Sequence, residues 1–327
     1  MNIVMTIPTG VGCRIGGHAG DATPVAKMLS QCCDRLFLHP NVVNASNIID
    51  LPENALYVEG SILDRFLMGW IELQPVKNNK VLVVVNELEP EIINTVSAAR
   101  AVSGVDAEVL QLSTPLKMKA FLHNGFADGA YSGVKELIAQ VKGLVFDALA
   151  IVSPITIEES VRDSYIENGQ VNPWGRVESI VSRIVATALN KPVAHAPSVD
   201  NQPFSQIIDP RKSAEFISAT FSYCILRGLQ KAPRIGKGLD RTTVDALVIP
   251  MHCWNSVYES CKNAGIKVII VKENSTCYTH CQYPTGEGLI FVENYWEAAG
   301  YIMCLKGGID PRAARRPLKE TRYNGPN

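Results

Sequence analysis

Residues 8–21 read Pro-Thr-Gly-Val-Gly-Cys-Arg-Ile-Gly-Gly-His-Ala-Gly-Asp, directly after a short apolar run. Five glycines in that stretch let the backbone turn sharply and approach a ligand closely, and exposed N–H groups ahead of a helix can hold an anion. Thr9, Gly10, Gly12, Gly16 and Gly17 are therefore candidate ligand contacts, with His18 and Asp21 as acid–base or orienting groups. The spacing is neither the dinucleotide fingerprint nor a Walker loop, since no Gly-Lys-Ser/Thr ending follows; the same glycines would also serve a tight chain crossing. A second polar stretch, His-Pro-Asn-Val-Val-Asn-Ala-Ser-Asn at 39–47, adds His39 as an acid–base candidate. Its Asn41, Asn44 and Ser46 are either ligand contacts or helix caps. Glu59 follows, with Arg65 one turn beyond Ser61 as a possible internal partner. Asn172 and Arg176 flank a Pro-Trp-Gly corner before a helix and suit a planar or carboxylated group, and Glu273 and Asn274 end another strand.

Cys253 lies in Ile-Pro-Met-His-Cys-Trp, after a predicted strand and before a helix whose N-terminus would lower a thiol's pKa. The run from Val244 to Cys253 resembles the second cysteine segment of the aspartate/glutamate racemases, whose two thiols face each other across the substrate. The likeness covers about thirty residues and departs in two places. No Thr-His follows the cysteine, and Val85-Asn86-Glu87 has no thiol where the first would stand, leaving Cys13 as the substitute. Cys277-Tyr-Thr-His-Cys281, with His252 and Cys253, is a local zinc cue without a recognised paired-knuckle spacing, and no metal ligand is assigned from it.

These groups need a scaffold, and the chain supplies one as short β-branched runs alternating with helix-length segments. Strands are predicted at 3–7, 36–38, 81–85, 108–112, 148–152, 193–194, 246–249, 268–271 and 289–292. Near-continuous apolar strands are buried on both faces, so the expected fold is α/β: a mostly parallel sheet flanked by helices, Rossmann-like and doubly wound. Polar residues follow most strands, and parallel sheets bind ligands outside their carboxyl ends. Asp245-Ala-Leu echoes Asp147-Ala-Leu, which suggests two similar α/β halves, with a soft boundary near residue 155 separating 1–155 from 156–327.

With 46% apolar residues and a net charge of −1, the chain has an ordinary globular composition and no field to neutralise a nucleic acid backbone. Arg312, Arg315, Arg316, Lys319 and Arg322 form the densest basic stretch, read as a solvated tail or one pinned to an acidic surface. Nine cysteines in an odd, irregular set read as reduced thiols. No run approaches the roughly 20 apolar residues of a membrane helix, and the start is too short for a signal-peptide core. The expectation is a cytoplasmic protein with a small-molecule substrate, no nucleic acid or membrane partner, and homo-oligomerisation open.

Taken in order, the glycine-rich loop, His-Pro-Asn-Val-Val-Asn-Ala-Ser, Asn-Pro-Trp-Gly-Arg-Val-Glu and Val-Asp-Ala-Leu-Val-Ile-Pro resemble a domain-of-unknown-function family of bacteria, archaea and photosynthetic organisms. The resemblance spans nearly the whole chain and implies no activity, cofactor or catalytic residue. From the residues alone, the expected function is an enzyme acting by acid–base chemistry on a small carboxylated or anionic metabolite at the strand ends. It would be an isomerase, lyase or hydrolase, with His18, Asp21, His39 and Cys253 as the reacting groups. The alternatives are a cysteine-dependent racemase or lyase, and a nucleotide- or metabolite-binding module without chemistry; the motifs specify no cofactor.

Overall fold

A computed structural model describes residues 1–18, 20–47, 50–168, 171–197, 207, 209–214, 221–278, 280–284, 287–318 and 320–321. The chain opens with β1 (Asn2–Met5), the glycine-rich loop, α1 (Thr23–Gln31), β2 (Arg35–Leu38), α2 (Pro40–Asn47), β3 (Ala55–Tyr57) and α3 (Gly60–Leu67). A first crossing carries β4 (Leu73–Gln74) to β5 (Lys80–Val85), α4 (Pro90–Ser103) and β6 (Asp106–Gln111). A hairpin of β7 (Lys117–His123) and β8 (Phe126–Ser132) turns at Asn124-Gly125, both with positive φ. Next come α5 (Val134–Val141), β9 (Ala148–Ser153), β10 (Ile155–Ile157), α6 (Glu159–Asn168), α7 (Gly175–Leu189) and β11 (Val193–Pro197). After α8 (Phe221–Lys231), a second crossing carries β12 (Arg234–Ile235) to β13 (Ala246–Met251), α9 (Ser256–Asn263), β14 (Lys267–Ser275), β15 (Leu289–Val292) and α10 (Tyr295–Lys306).

Two parallel sheets result. The larger has the order β15-β14-β13-β1-β2-β3 and the smaller β11-β9-β5-β6. In each, the chain runs outward to one side and then returns to the other, so each is doubly wound, with its switch point at β1/β13 or β5/β9. Every predicted strand belongs to one of these sheets. Successive residues feed opposite cores: Ile3, Met5, Val81, Val83 and Val85 enter one, and Val4, Leu82 and Val84 the other. Each core thus takes side chains from both sheets, which share the helical layers on either face.

The Asp-Ala-Leu echo has a structural counterpart. Asp245 accepts the Asn2 N–H at 2.6 Å where β13 joins β1, and Asp147 accepts the Lys80 N–H at 2.9 Å where β9 joins β5. The two aspartates thus start equivalent strand pairs in the two sheets. The division near residue 155 does not separate those sheets, however. The larger is built from strands before residue 58 and after residue 245, and β11 pairs with β9 across the expected boundary. The smaller sheet lies in a segment inserted between β3 and β13, and the two crossings that enclose it pair antiparallel through β4 and β12.

The basic tail is partly pinned: Arg315 contacts Glu297 of α10 at 2.6 Å, Arg312 pairs with Asp310, and Lys319 and Arg322 lie outside the described residues. Among the described residues, no helix is long and apolar enough to cross a membrane.

Candidate functional site

The carboxyl ends of β1, β2, β3 and β11 and the first turns of α7 enclose a cleft of about 820 Å³, its open mouth included. The glycine-rich loop forms one wall through Thr9, Gly10, Gly12 and Gly17. Gly10 and Gly12 have φ of +78° and +59°, a conformation that side chains rarely adopt, and they let the loop pass against Ala127 and Val171. The remainder of the loop is tied back. Asn274 is fully buried and holds both backbone groups of Ile15 at 2.9 Å, while Asp21 Oδ1 accepts from Gly16 N at 2.6 Å and His18 N at 3.4 Å. The N–H groups of Thr9, Gly10, Val11 and Gly12 have no acceptor among the described residues. Of these residues, Thr9, Gly10 and Gly12 line the cleft.

α7 begins directly against this loop, with Gly175 against the Thr9 methyl and Arg176 Cβ near Gly10. Asn172 lines the cleft and accepts from Trp174 N at 3.0 Å and Gly175 N at 3.4 Å, so it also organises the helix start. Arg176 is exposed, with no ion-pair partner among the described residues.

One turn into α7, Glu178 faces His195 of β11. Glu178 Oε1 lies 3.4 Å from His195 Nδ1, and Ser153 Oγ lies 3.3 Å from Nε2. The first separation is within ion-pair distance but makes no hydrogen bond, so Nδ1 is buried without one. Composition suggests a serine–histidine–carboxylate triad, but burial runs the wrong way for a serine nucleophile. Ser153 is 1% exposed and off the cleft wall, whereas the Glu178 side chain keeps 22% of its surface and lines the cleft. Ser153 therefore anchors the ring, and the carboxylate is the group that a ligand meets.

A family described as "Protein of unknown function (DUF3326)" matches residues 2–315. The chain belongs to this family. An uncharacterized lipoprotein of Synechococcus sp. is 29% identical to it over 95% of this chain and 92% of that protein.

In this member of the family, the remaining cleft groups come from the larger sheet. His39 follows β2, and its Nδ1 accepts the Asn41 N–H at 3.1 Å; burial lowers its pKa to about 4, so the ring is neutral. Asn41 Nδ2 in turn donates to Pro8 O at 3.1 Å. Glu59 caps α3, with Oε2 accepting from Ser61 N at 2.9 Å, Ser61 Oγ at 2.5 Å and Ile62 N at 3.0 Å; burial raises its carboxyl. Its expected pairing with Arg65 is replaced by this cap, and Arg65 turns to Ser61 O and Asn190. Burial, then the charges of Glu59 and Glu178, push the Tyr57 hydroxyl up, and all three residues line the cleft.

Burial likewise raises Asp64, one turn along α3, to about 6, with Arg183 opposing and Glu59 adding to the shift. The folded state holds this proton more tightly than the unfolded chain. Its stabilisation is therefore full below the ordinary value of 3.8 and is lost as pH rises through about 6. Asp64→Asn is expected to melt above the wild type at pH 7.5, with the two curves converging towards pH 4. Identical melting temperatures at both pH values would refute this assignment.

Several residues expected at the site lie elsewhere. His18 binds Tyr165 OH through Nδ1 at 2.5 Å, on a side of the loop occupied by Arg211 and Lys212; burial and then those cations lower it to about 4. Asp21 pairs with Arg211 at 3.2 Å and, with its loop contacts, serves the backbone. Glu273 caps α10 by accepting Tyr295 N at 2.8 Å, and neither it nor Asn274 or Gly16 lines the cleft. Cys253 is not a poised thiol: Sγ donates to Pro250 O at 2.9 Å, and burial, then the neighbouring Cys13 and Cys281, raise its pKa, the reverse of activation. Asn44 and Ser46 fall in α2, their side chains outside what is described. Among the described residues, no three His, Cys, Asp or Glu side chains are arranged to hold a metal.

Glu178, His195 and Tyr57 were not foreseen as site residues. His195 carried a signal as a polar residue at a strand end, and Glu178 stood in the Asn-Pro-Trp-Gly-Arg-Val-Glu segment.

Proposed function

We propose that the cleft binds a small anionic metabolite and performs acid–base chemistry on it, with Glu178 exchanging the proton and His195 positioning Glu178. The observation that carries this reading is the Ser153–His195–Glu178 line ending in the cleft that is also lined by Thr9, Gly10 and Gly12, whose N–H groups have no acceptor among the described residues. Those donors and the start of α7 offer an anion favourable partners in a described lining that holds Glu59 and Glu178 but no lysine or arginine. The nine cysteines, all free, support a reducing compartment such as the cytoplasm for this chemistry.

The test is thermal unfolding of the full chain against a panel of small phosphorylated and carboxylated metabolites, each beside its uncharged alcohol or amide analogue. At least one anion is expected to stabilise the wild type, by about 2.7 kcal/mol at a concentration 100-fold above its Kd. Gly10→Ala, strained at φ +78° and crowding Ala127 and Arg176, is expected to abolish that stabilisation. Equal stabilisation by the uncharged analogues would sink the anion assignment.

A further inference from the structure

We propose that His39 is a neutral electrophile in the cleft that Glu178 also lines, so that the reaction is removal of a proton from the carbon next to a carbonyl of a small anionic substrate. The inference rests on the reading of Glu178 above and adds the substrate class. Three observations carry it. The Asn41 N–H points at Nδ1, which must hold a lone pair to accept it, so the ring proton sits on Nε2. Nε2 has no partner among the described residues, and His39 lines the cleft. Gly60 keeps the space before it open: a Cβ at that position would lie 2.9 Å from Nε2 and 3.5 Å from Cδ2.

A neutral imidazole that donates a fixed N–H, in one cleft with a carboxylate base, is suited to polarising a carbonyl while an adjacent proton is removed. Here the donor enters from the end of β2 in the larger sheet and the base from α7, which packs with the smaller. The step balances without another reactant. Glu178 takes the proton from the α carbon, the C–H electron pair forms the new carbon–carbon double bond, and the carbonyl π pair moves onto oxygen, where the His39 Nε2–H hydrogen-bonds it. Return of a proton from Glu178 restores the carbonyl compound.

Two measurements on the full chain decide the matter. Nitrogen NMR of the histidine rings at pH 6 is expected to show His39 neutral, with Nδ1 bare and Nε2 protonated; an imidazolium or an Nδ1–H ring overturns the inference whatever the substrate. Pyruvate, hydroxypyruvate and dihydroxyacetone phosphate are then incubated with the protein in heavy water. Deuterium is expected to enter the α carbon of at least one faster than in protein-free buffer. His39→Ala is expected to slow that exchange by roughly 10²–10³-fold, as loss of one oxyanion donor does. Gly60→Ala should slow it at least about tenfold with an unchanged circular dichroism spectrum, and His39→Gln, which keeps a neutral N–H, should restore part of the rate. Exchange that is unaffected in His39→Ala, or absent for all three probes, overturns the carbonyl assignment. Thermal stabilisation by the same probes without exchange leaves the binding reading standing, so the two failures are distinguishable.

Discussion

Glu178→Gln will lower turnover of the cleft's ligand by roughly 10²–10⁴-fold, the range that a positioned proton acceptor supplies. Expressed as barrier height this is about 2.7–5.5 kcal/mol. The amide keeps the shape and the hydrogen-bonding reach of the carboxylate but cannot take a proton. Stabilisation by the ligand should therefore stay within a few-fold of wild type, or improve, because a repulsive charge has gone. His195→Gln should cost less and act differently. It removes the ring 3.4 Å behind Oε1 and so should shift the pH dependence of turnover, whereas a structural role alone would leave that dependence in place. Steady-state rates and thermal shifts on the same ligand check both. Turnover of Glu178→Gln within threefold of wild type removes Glu178 from the chemistry.

The second large effect concerns stability. Asn79 is 0% exposed and fully used: Nδ2 donates to Leu229 O and Ala232 O, both at 2.8 Å, and Oδ1 accepts from Arg234 Nε at 2.8 Å. It stitches the end of α8 to the segment that enters β5, and Arg234 continues to Asp147 at 2.8 Å. Asn79→Asp preserves volume while turning two donors into an acceptor that faces two carbonyl oxygens. Each stranded buried group costs about 1–3 kcal/mol and the buried charge adds to it, so a loss of about 3–5 kcal/mol is expected despite Arg234 nearby. The midpoint of urea unfolding measures it, and a change below about 0.5 kcal/mol would show that water already satisfies these groups.

The contrast between these two residues bears on what the sequence reveals. Strands such as Val81–Val85 are legible because burial on both faces demands an apolar run, and helix ends such as Gly104 are legible because a left-handed residue is needed there. Ala55–Tyr57 escapes notice because three residues are too few to set a period. The hairpin around Asn124-Gly125 carried its turn signal but lacks a strongly apolar strand on either side. Which strands share a sheet is invisible locally, since β1 meets β13 across most of the chain.

The site divides along the same line. Thr9, Gly10, Gly12, Gly17, His39, Asn41, Glu59 and Asn172 follow strands or precede helices, where loop residues draw attention, and all line the cleft. Glu178 sits on a helix face among residues that read as ordinary α7, and only the packing of that helix against β11 gives it a histidine. His18 and Asp21 mislead for physical reasons: a loop rich in glycine has backbone groups to satisfy and Asp21 is spent on them, while the His18 ring is taken by the Tyr165 hydroxyl.

The nested arrangement of the two sheets also orders events in time. Asn2 and Asp245, joined by a hydrogen bond in the finished sheet, are separated by 243 positions along the chain. During synthesis β1 acquires β2 as a neighbour almost at once, but the other side of β1 stays an open strand edge until β13 has been made. The smaller sheet closes over a far shorter span, from β5 to β11, and all of its strands emerge before β13 does. Because joining distant segments is slow and local units tend to fold as they appear, the inserted sheet is the part able to mature first, with the outer sheet completed around it. The cleft, which needs walls from both, is then the last feature of the molecule to exist.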